Sequence, residues 1–201
     1  PKKNGWQITG AVTFYESDFE MLNCRFIGNN SEDALNIIRS EFFIKDTVFK
    51  DAFSDALDSD FSNGTIVDSN FFNSRNDAID VSGSNVDLQN ILVNGAGDKA
   101  VSAGENSQME INNITIKNVA IGVASKDQSK VRVENADIDY ARIGFAAYQK
   151  KPEFGSGQIK AVSSNTHNSE VPVFVENNST IEYNGVTIKV NKEPLEKYLL
   201  Q

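Results

Sequence analysis

A small residue returns every 22 positions through the middle of this chain, as Ala34, Ala56, Ala78, Ala100, Gly122 and Gly144. Each return opens a short alternating run, read as ALNI, ALDSD, AIDVS, AVSAG, GVASK and GFAAY. A unit of this length cannot bury its own apolar face, so the repeat constrains the chain to a solenoid whose turns stack on one another. Three alternating runs fit in each turn, separated by polar or glycine-containing corners; in the turn from Ala78 they are AIDV, NVDL and ILV.

The same spacing sorts the apolar residues into three inward stacks. The first holds Leu35, Ile37, Leu57, Ile79, Val81, Val101, Val123 and Phe145. The second holds Ile44, Ile66, Leu88, Ile111 and Val133, and the third Phe26, Phe49, Phe71, Val93, Ile116 and Ile138. An amide or carboxylate recurs between the second and third runs as Asn23, Asp46, Asp68, Asn90, Asn113 and Asn135, and the spacing predicts a hydrogen-bonded ladder there, at a buried bend. The extra residue between Asn90 and Asn113 is expected to be taken up by a longer first corner and a shorter last one.

Composition supports one domain and excludes some partners. The 201 residues are 39% hydrophobic and 23% charged, as in globular chains. A net charge of -9 without a basic cluster excludes nucleic acid, leaving cations, or substrates that a cation can bridge, as the expected company. No apolar run reaches membrane-spanning length. The single cysteine, Cys24, falls on an inward position and reads as a small apolar residue. The chain opens on Pro1, so a leader or preceding domain is expected to have been removed, and either further turns or some other cap are expected before the first run at Trp6, Ile8, Val12 and Phe14.

Carboxylates crowd the outward side of the first run. Two residues after each small one the row reads Asn36, Asp58, Asp80, Ser102, Ala124, Ala146; two further on it reads Ile38, Asp60, Ser82, Gly104, Lys126, Tyr148. The corner before the run reads Asp33, Asp55, Asp77, Lys99, Ile121, Ile143. Stacked strands lie about 4.8 Å apart, so Asp58 and Asp80, like Asp55 and Asp77, are expected neighbours. At roughly 5 Å and an effective dielectric near 20, each pair repels by about 3 kcal/mol. A bound cation, a shared proton, the nearby lysines or solvation must offset this. Oxygen ligands with no His or Cys beside them suit calcium. Asp58, Asp60 and Asp80 also suit an acid/base pair for hydrolysis. Lys126 is expected to bridge Glu105 and Asp127, and Ser107 and Ser129 to bond their own backbone.

The period, the inward stacks and the ladder resemble the right-handed parallel β-helix of the pectate-lyase-like superfamily, over residues 11 to 190. The stretches GDKAVSAGENS, IGVASKDQS and AAYQKKPEFG are similar to β-helix modules within larger secreted bacterial proteins. The resemblance implies an all-β fold of about eight coils, residues 1–190, with a C-terminal capping helix in residues 191–201, where Asn191 caps and Leu195, Tyr198 and Leu199 share a face. It also implies a secreted or cell-surface protein acting on a polysaccharide or cell-surface glycan. In lyases of this kind calcium neutralises a uronate carboxylate and a lysine removes the adjacent proton. By that resemblance Asp55, Asp58, Asp60, Asp77 and Asp80 hold the ion, Lys99 or Lys126 is the base, and Tyr148 and Arg142 contact the sugar. The Gly-His-Gly element of related hydrolases is missing, and the single histidine, His167, falls in a segment from Ser163 to Glu170 expected to lengthen its turn. The alternative is a non-catalytic β-helix module: a spacer, carbohydrate-binding or adhesive element of a larger extracellular protein.

Overall fold

The computed structural model describes residues 2–3 and 5–199; the side chain of Trp6 and residues 200 and 201, on which two expectations touch, lie outside what is described. The chain is an all-β solenoid of about eight turns with a 22-residue period and a short C-terminal helix. Coil 2 shows the plan, with strands Asp33–Ile38, Glu41–Lys45 and Val48–Lys50. Each lies parallel and in register with its counterpart one turn on: Leu35 faces Leu57, Phe42 faces Gly64 and Phe49 faces Phe71. From Asn85 the chain passes from a second strand through a third and into the next first strand without a break, as Asn85–Gly104, Gln108–Lys126 and Lys130–Tyr148.

Like stacks on like, as the period requires. Ile44, Ile66, Leu88, Ile111 and Val133 form one buried column. Phe26, Phe49 and Phe71 stack face to face, with centroids 4.8 and 4.7 Å apart and planes within 6°. Cys24 is half-buried against this core.

Three columns of left-handed backbone make the corners. Positive φ recurs after the first strand (Arg39, Phe61, Gly83, then the pairs Glu105–Asn106 and Asp127–Gln128), after the second (Asn23, Asp46, Asp68, Asn90, Asn113, Asn135) and after the third (Asp51, Asn73, Gly95, Asn118). Asn and Asp tolerate this region better than other non-glycine residues, which explains their recurrence at the second corner. The ladder is present there, with Asn90 Nδ2 donating to Asp68 Oδ1 at 2.8 Å and Asn113 Nδ2 to Asn90 Oδ1 at 2.7 Å. It lies on the exposed side of the bend, not the buried one.

The buried polar column is made of serine. The N–H groups of Ser17, Ser40, Ser62, Ser84 and Ser107 donate to the hydroxyls of Ser40, Ser62, Ser84, Ser107 and Ser129 one coil on, at 2.8 to 3.1 Å. Each of Ser40, Ser62 and Ser84 in turn donates to a carbonyl two residues back. Ser107 and Ser129 therefore join successive coils, beyond the local turn role expected of them. Ser84→Ala leaves the buried Ser62 N–H without its acceptor and is expected to cost about 1–3 kcal/mol, read as a lower urea midpoint at unchanged slope.

Two irregularities shift the register. The extra residue between Asn90 and Asn113 enters at the first corner, where Asn85 pairs with Gln108, and is recovered between Ala96 and Lys99, as expected. The six-residue insertion is not at Ser163–Glu170. Lys126 faces Tyr148 while Lys130 faces Gln158, so the extra residues form the loop between Tyr148 and Gln158. The segment with His167 is an ordinary third strand, Asn165–His167, paired with Asp137–Asp139. At the C-terminal end a hairpin pairs Val186–Thr187 with Glu182–Tyr183, and Ile188 packs on the main core.

Candidate functional site

The first sheet carries the acids in the order the period predicts. Asp58 lies between Asn36 and Asp80, Asp60 between Ile38 and Ser82, and Asp55 beside Asp33. Asp77 follows in the corner column, its N–H donating to Asp55 Oδ1 at 2.8 Å. Asp33, Asp55, Asp58 and Asp77 each have a hydrogen-bond donor of their own. Asp55 also accepts from Asn76 Nδ2 at 2.7 Å, and Asp33 from Thr9 Oγ1 at 2.5 Å. Asp58 accepts from Asn36 Nδ2 at 2.9 Å, and Asp77 from the Lys99 N–H at 2.9 Å.

Both lysines reach back along the axis toward these acids. Lys99 Nζ lies 3.4 Å from Asp77 Oδ1 and also contacts Asp98, in a pair where Lys99 is 5% and Asp77 2% exposed. Lys126 Nζ passes over Gly104, where a Cβ would sit 2.7 Å from its Cε, to reach Ser102 Oγ at 2.8 Å and Asp80 Oδ1 at 3.4 Å. It does not bridge Glu105 and Asp127. Lys151 pairs with Glu105, and Asp127 Oδ1 accepts the Lys150 and Lys151 N–H groups at 2.7 Å.

Burial sets the electrostatics of the stripe. It pushes Asp33 up to about 6, against the Thr9 hydrogen bond, with Asp55, Glu32 and Asp60 adding to the rise. It pushes Asp60 up to about 6, aided by Glu105 and Asp80 against Lys151. Asp77 rises to about 7 because its desolvation, with Asp80, Asp98 and Asp55 nearby, outweighs the attraction of Lys99. Asp58 is driven well above the usual carboxylate range by burial and then by Asp60, Asp33, Asp80 and Asp55. Asp55 is raised by burial, less so for its bonds to Asp77 and Asn76. For Lys99 burial acts to lower the value, but Asp77, Tyr148 and Asp98 overcome it and hold the ammonium above its ordinary range.

Calcium does not fit this arrangement. It takes about six to eight oxygens directed at one point, whereas among the described residues no three Asp, Glu, His or Cys side chains converge as a ligand set. Protonation, backbone N–H donors and two lysines meet the repulsion in its place.

Tyr148 lies on no open groove, whereas Arg142 borders a cleft of about 480 Å³ away from the acids. Tyr148 is 6% exposed, in a second apolar cluster with Ile121, Ala124, Ile143, Ala146, Phe174 and Leu195 on the outward side of the first sheet. Tyr198 and Leu199, from the helix Glu196–Leu199, pack against it, so the helix covers this flank while the hairpin covers the end. Asn191 does not cap that helix: it clamps Val175, accepting its N–H at Oδ1 and donating its own N–H to Val175 O, at 2.7 and 2.8 Å. Arg142 Nη1 donates to Leu199 O at 2.7 Å.

A groove of about 890 Å³ runs over the outward face of the second sheet. Its rows are Asp18, Glu41, Asn63, Asn85, Gln108 and Glu20, Phe43, Thr65, Asp87, Glu110, one residue per coil. Asn85 Nδ2 donates to Asn63 Oδ1, and Asn63 Nδ2 to Glu41 Oε1, each at 2.7 Å. A further 470 Å³ continues past Gln108 and Glu110 to Lys130, Arg132, Gln158 and Lys160. Neither stretch is lined by Asp55, Asp58, Asp60, Asp77, Asp80 or Lys126. Polar residues alternating along a strand ordinarily signal a solvated face, and only the groove distinguishes this one; the one-per-coil amides were its signal in the sequence.

Fold and surface together define a parallel β-solenoid with a polar trough along one sheet. Comparison of the chain with protein-family models, with curated proteins and with solved structures gives no match.

Proposed function

We propose that this chain is a non-catalytic binding module of a larger extracellular protein, which lays an extended polyhydroxylated polymer, a glycan, along the trough of its second sheet. The observation that carries the reading is the trough itself: two contiguous cavities bordered once per coil by polar side chains, amides and carboxylates giving way to Lys130, Arg132 and Lys160, with Phe43 and other apolar groups among them. A repeat of about 4.8 Å offers successive residues of an extended polymer side chains at evenly spaced positions along the trough. Asp55, Asp58, Asp77 and Asp80 are already engaged with Lys99, Lys126, Asn36 and backbone N–H groups. Proton abstraction by Lys99 would require an ammonium held by two carboxylates to give up its proton, which the pairing opposes.

Affinity electrophoresis against a panel of soluble polysaccharides tests the reading. At least one is expected to retard the protein. The double variant Asn63→Ala with Asn85→Ala removes two exposed amides and is expected to weaken that binding by about tenfold to a hundredfold, at about 0.5–1.5 kcal/mol per hydrogen bond, with little change in melting temperature. Retardation by no polysaccharide, or equal retardation of the variant, would end the proposal.

A further inference from the structure

The third corner contains a residue that the backbone there does not favour. Its left-handed positions are Gly28, Asp51, Asn73, Gly95, Asn118, Tyr140 and Asn168, with φ between 48° and 90°. Six of these are Gly, Asn or Asp, which adopt the conformation most readily; Tyr140 is the bulky exception and is 61% exposed. A large ring held in strained backbone and turned to solvent is poor material for a corner. It is good material for a contact face.

Tyr140 lines a cleft of about 480 Å³, within the range of small-ligand sites. Asn118, Asn168, Arg142, Asp98 and Glu170 line it as well, together with glycine, alanine, Val119 and Leu199. Asn118 and Asn168 each spend an amide N–H on a neighbour, Asn94 Oδ1 and Asp139 Oδ1, both at 2.8 Å. Their carbonyl oxygens make no other hydrogen bond among the described residues and remain acceptors. Arg142 is held by Leu199 O through one N–H and keeps four donors. Among the described residues it has no ion-pair partner.

We infer that this cleft binds one pyranose ring of a neutral glycan, its apolar face on Tyr140 and its hydroxyls shared among Arg142, Asn118, Asn168 and Glu170. The mixture of a flat apolar surface with donors and acceptors around it matches a ring that is apolar on its face and hydroxylated at its edge. Carboxylates at Asp98 and Glu170 disfavour a uronate or a nucleotide phosphate. The cleft lies on a different face from the second-sheet trough, so either site can fail without the other.

The test is calorimetric titration and saturation-transfer NMR of the full chain with neutral tetrasaccharides of β-1,4-linked glucose, mannose and N-acetylglucosamine and of α-1,4-linked glucose. A galacturonate tetramer serves as comparison. At least one neutral tetramer is expected to bind and to perturb the Tyr140 ring resonances. Tyr140→Phe is expected to stay within threefold of the parent. Tyr140→Asn restores a residue type the column prefers, and is expected to lose at least tenfold in affinity while its melting temperature holds or rises. Undiminished binding by Tyr140→Asn, binding of none of the neutral tetramers, or tighter binding of galacturonate would each overturn the inference.

Discussion

Lowering the pH from 8 to 5 is expected to stabilise this protein, by roughly 10 °C in melting temperature. Unfolded aspartates titrate near 3.9, whereas in the fold Asp33 and Asp60 titrate at about 6 and Asp77 at about 7, with Asp58 and Asp55 raised as well. Between about pH 4 and pH 7 the folded chain therefore holds more protons than the unfolded one. Stability falls as pH rises through a window in which folding takes up protons. Three such groups sum to several kcal/mol, and each kcal/mol moves the midpoint by about 2–4 °C in a chain of this size. Thermal melts at unit pH intervals check this. Asp77→Asn and Asp58→Asn are each expected to flatten part of the slope, and a melting temperature that holds or falls between pH 8 and pH 5 would show the stripe to be an ordinary solvated surface.

How far the sequence discloses this molecule depends on whether backbone or side chain decides the feature. The 22-residue return fixes which residues are neighbours, and every inward stack and the pairing of Asp58 with Asp80 follow from it. Neighbouring positions do not determine where side chains point: the five carboxylates fall in three adjacent rows, yet Asp55, Asp58, Asp77 and Asp80 each turn to their own hydrogen-bond donor or lysine. Tyr148 sits in an outward row and is covered by Leu195, Tyr198 and Leu199 from some fifty residues downstream, which no local pattern records. The serine column was legible in the regular return of Ser40, Ser62, Ser84, Ser107 and Ser129. A corner serine usually bonds its own turn, and that local reading hid the link between coils. The insertion was misplaced because Ser163–Glu170 is polar enough to pass for a loop, although its third strand keeps register with Asp137–Asp139.

Lys99→Met is expected to destabilise the protein by about 3–5 kcal/mol at pH 8, because removing one partner of a buried pair leaves the other uncompensated. Asp77, 2% exposed, would lose the ammonium at 3.4 Å while keeping Asp98, Asp80 and Asp55 around it. The loss is expected to shrink at pH 5, where Asp77 takes up a proton and no longer needs a counter-ion. Lys99→Met with Asp77→Asn should recover most of the stability, and chemical unfolding of the four members of this cycle at both pH values measures the coupling directly. A single variant within about 1 kcal/mol of the parent at pH 8 would mean that water reaches the pair and the burial argument fails. The cycle also bears on function. A lysine that serves as counter-ion to Asp77 can be replaced together with it and the folded double variant should bind polysaccharide as the parent does, whereas a lysine that touches substrate cannot be exchanged so freely.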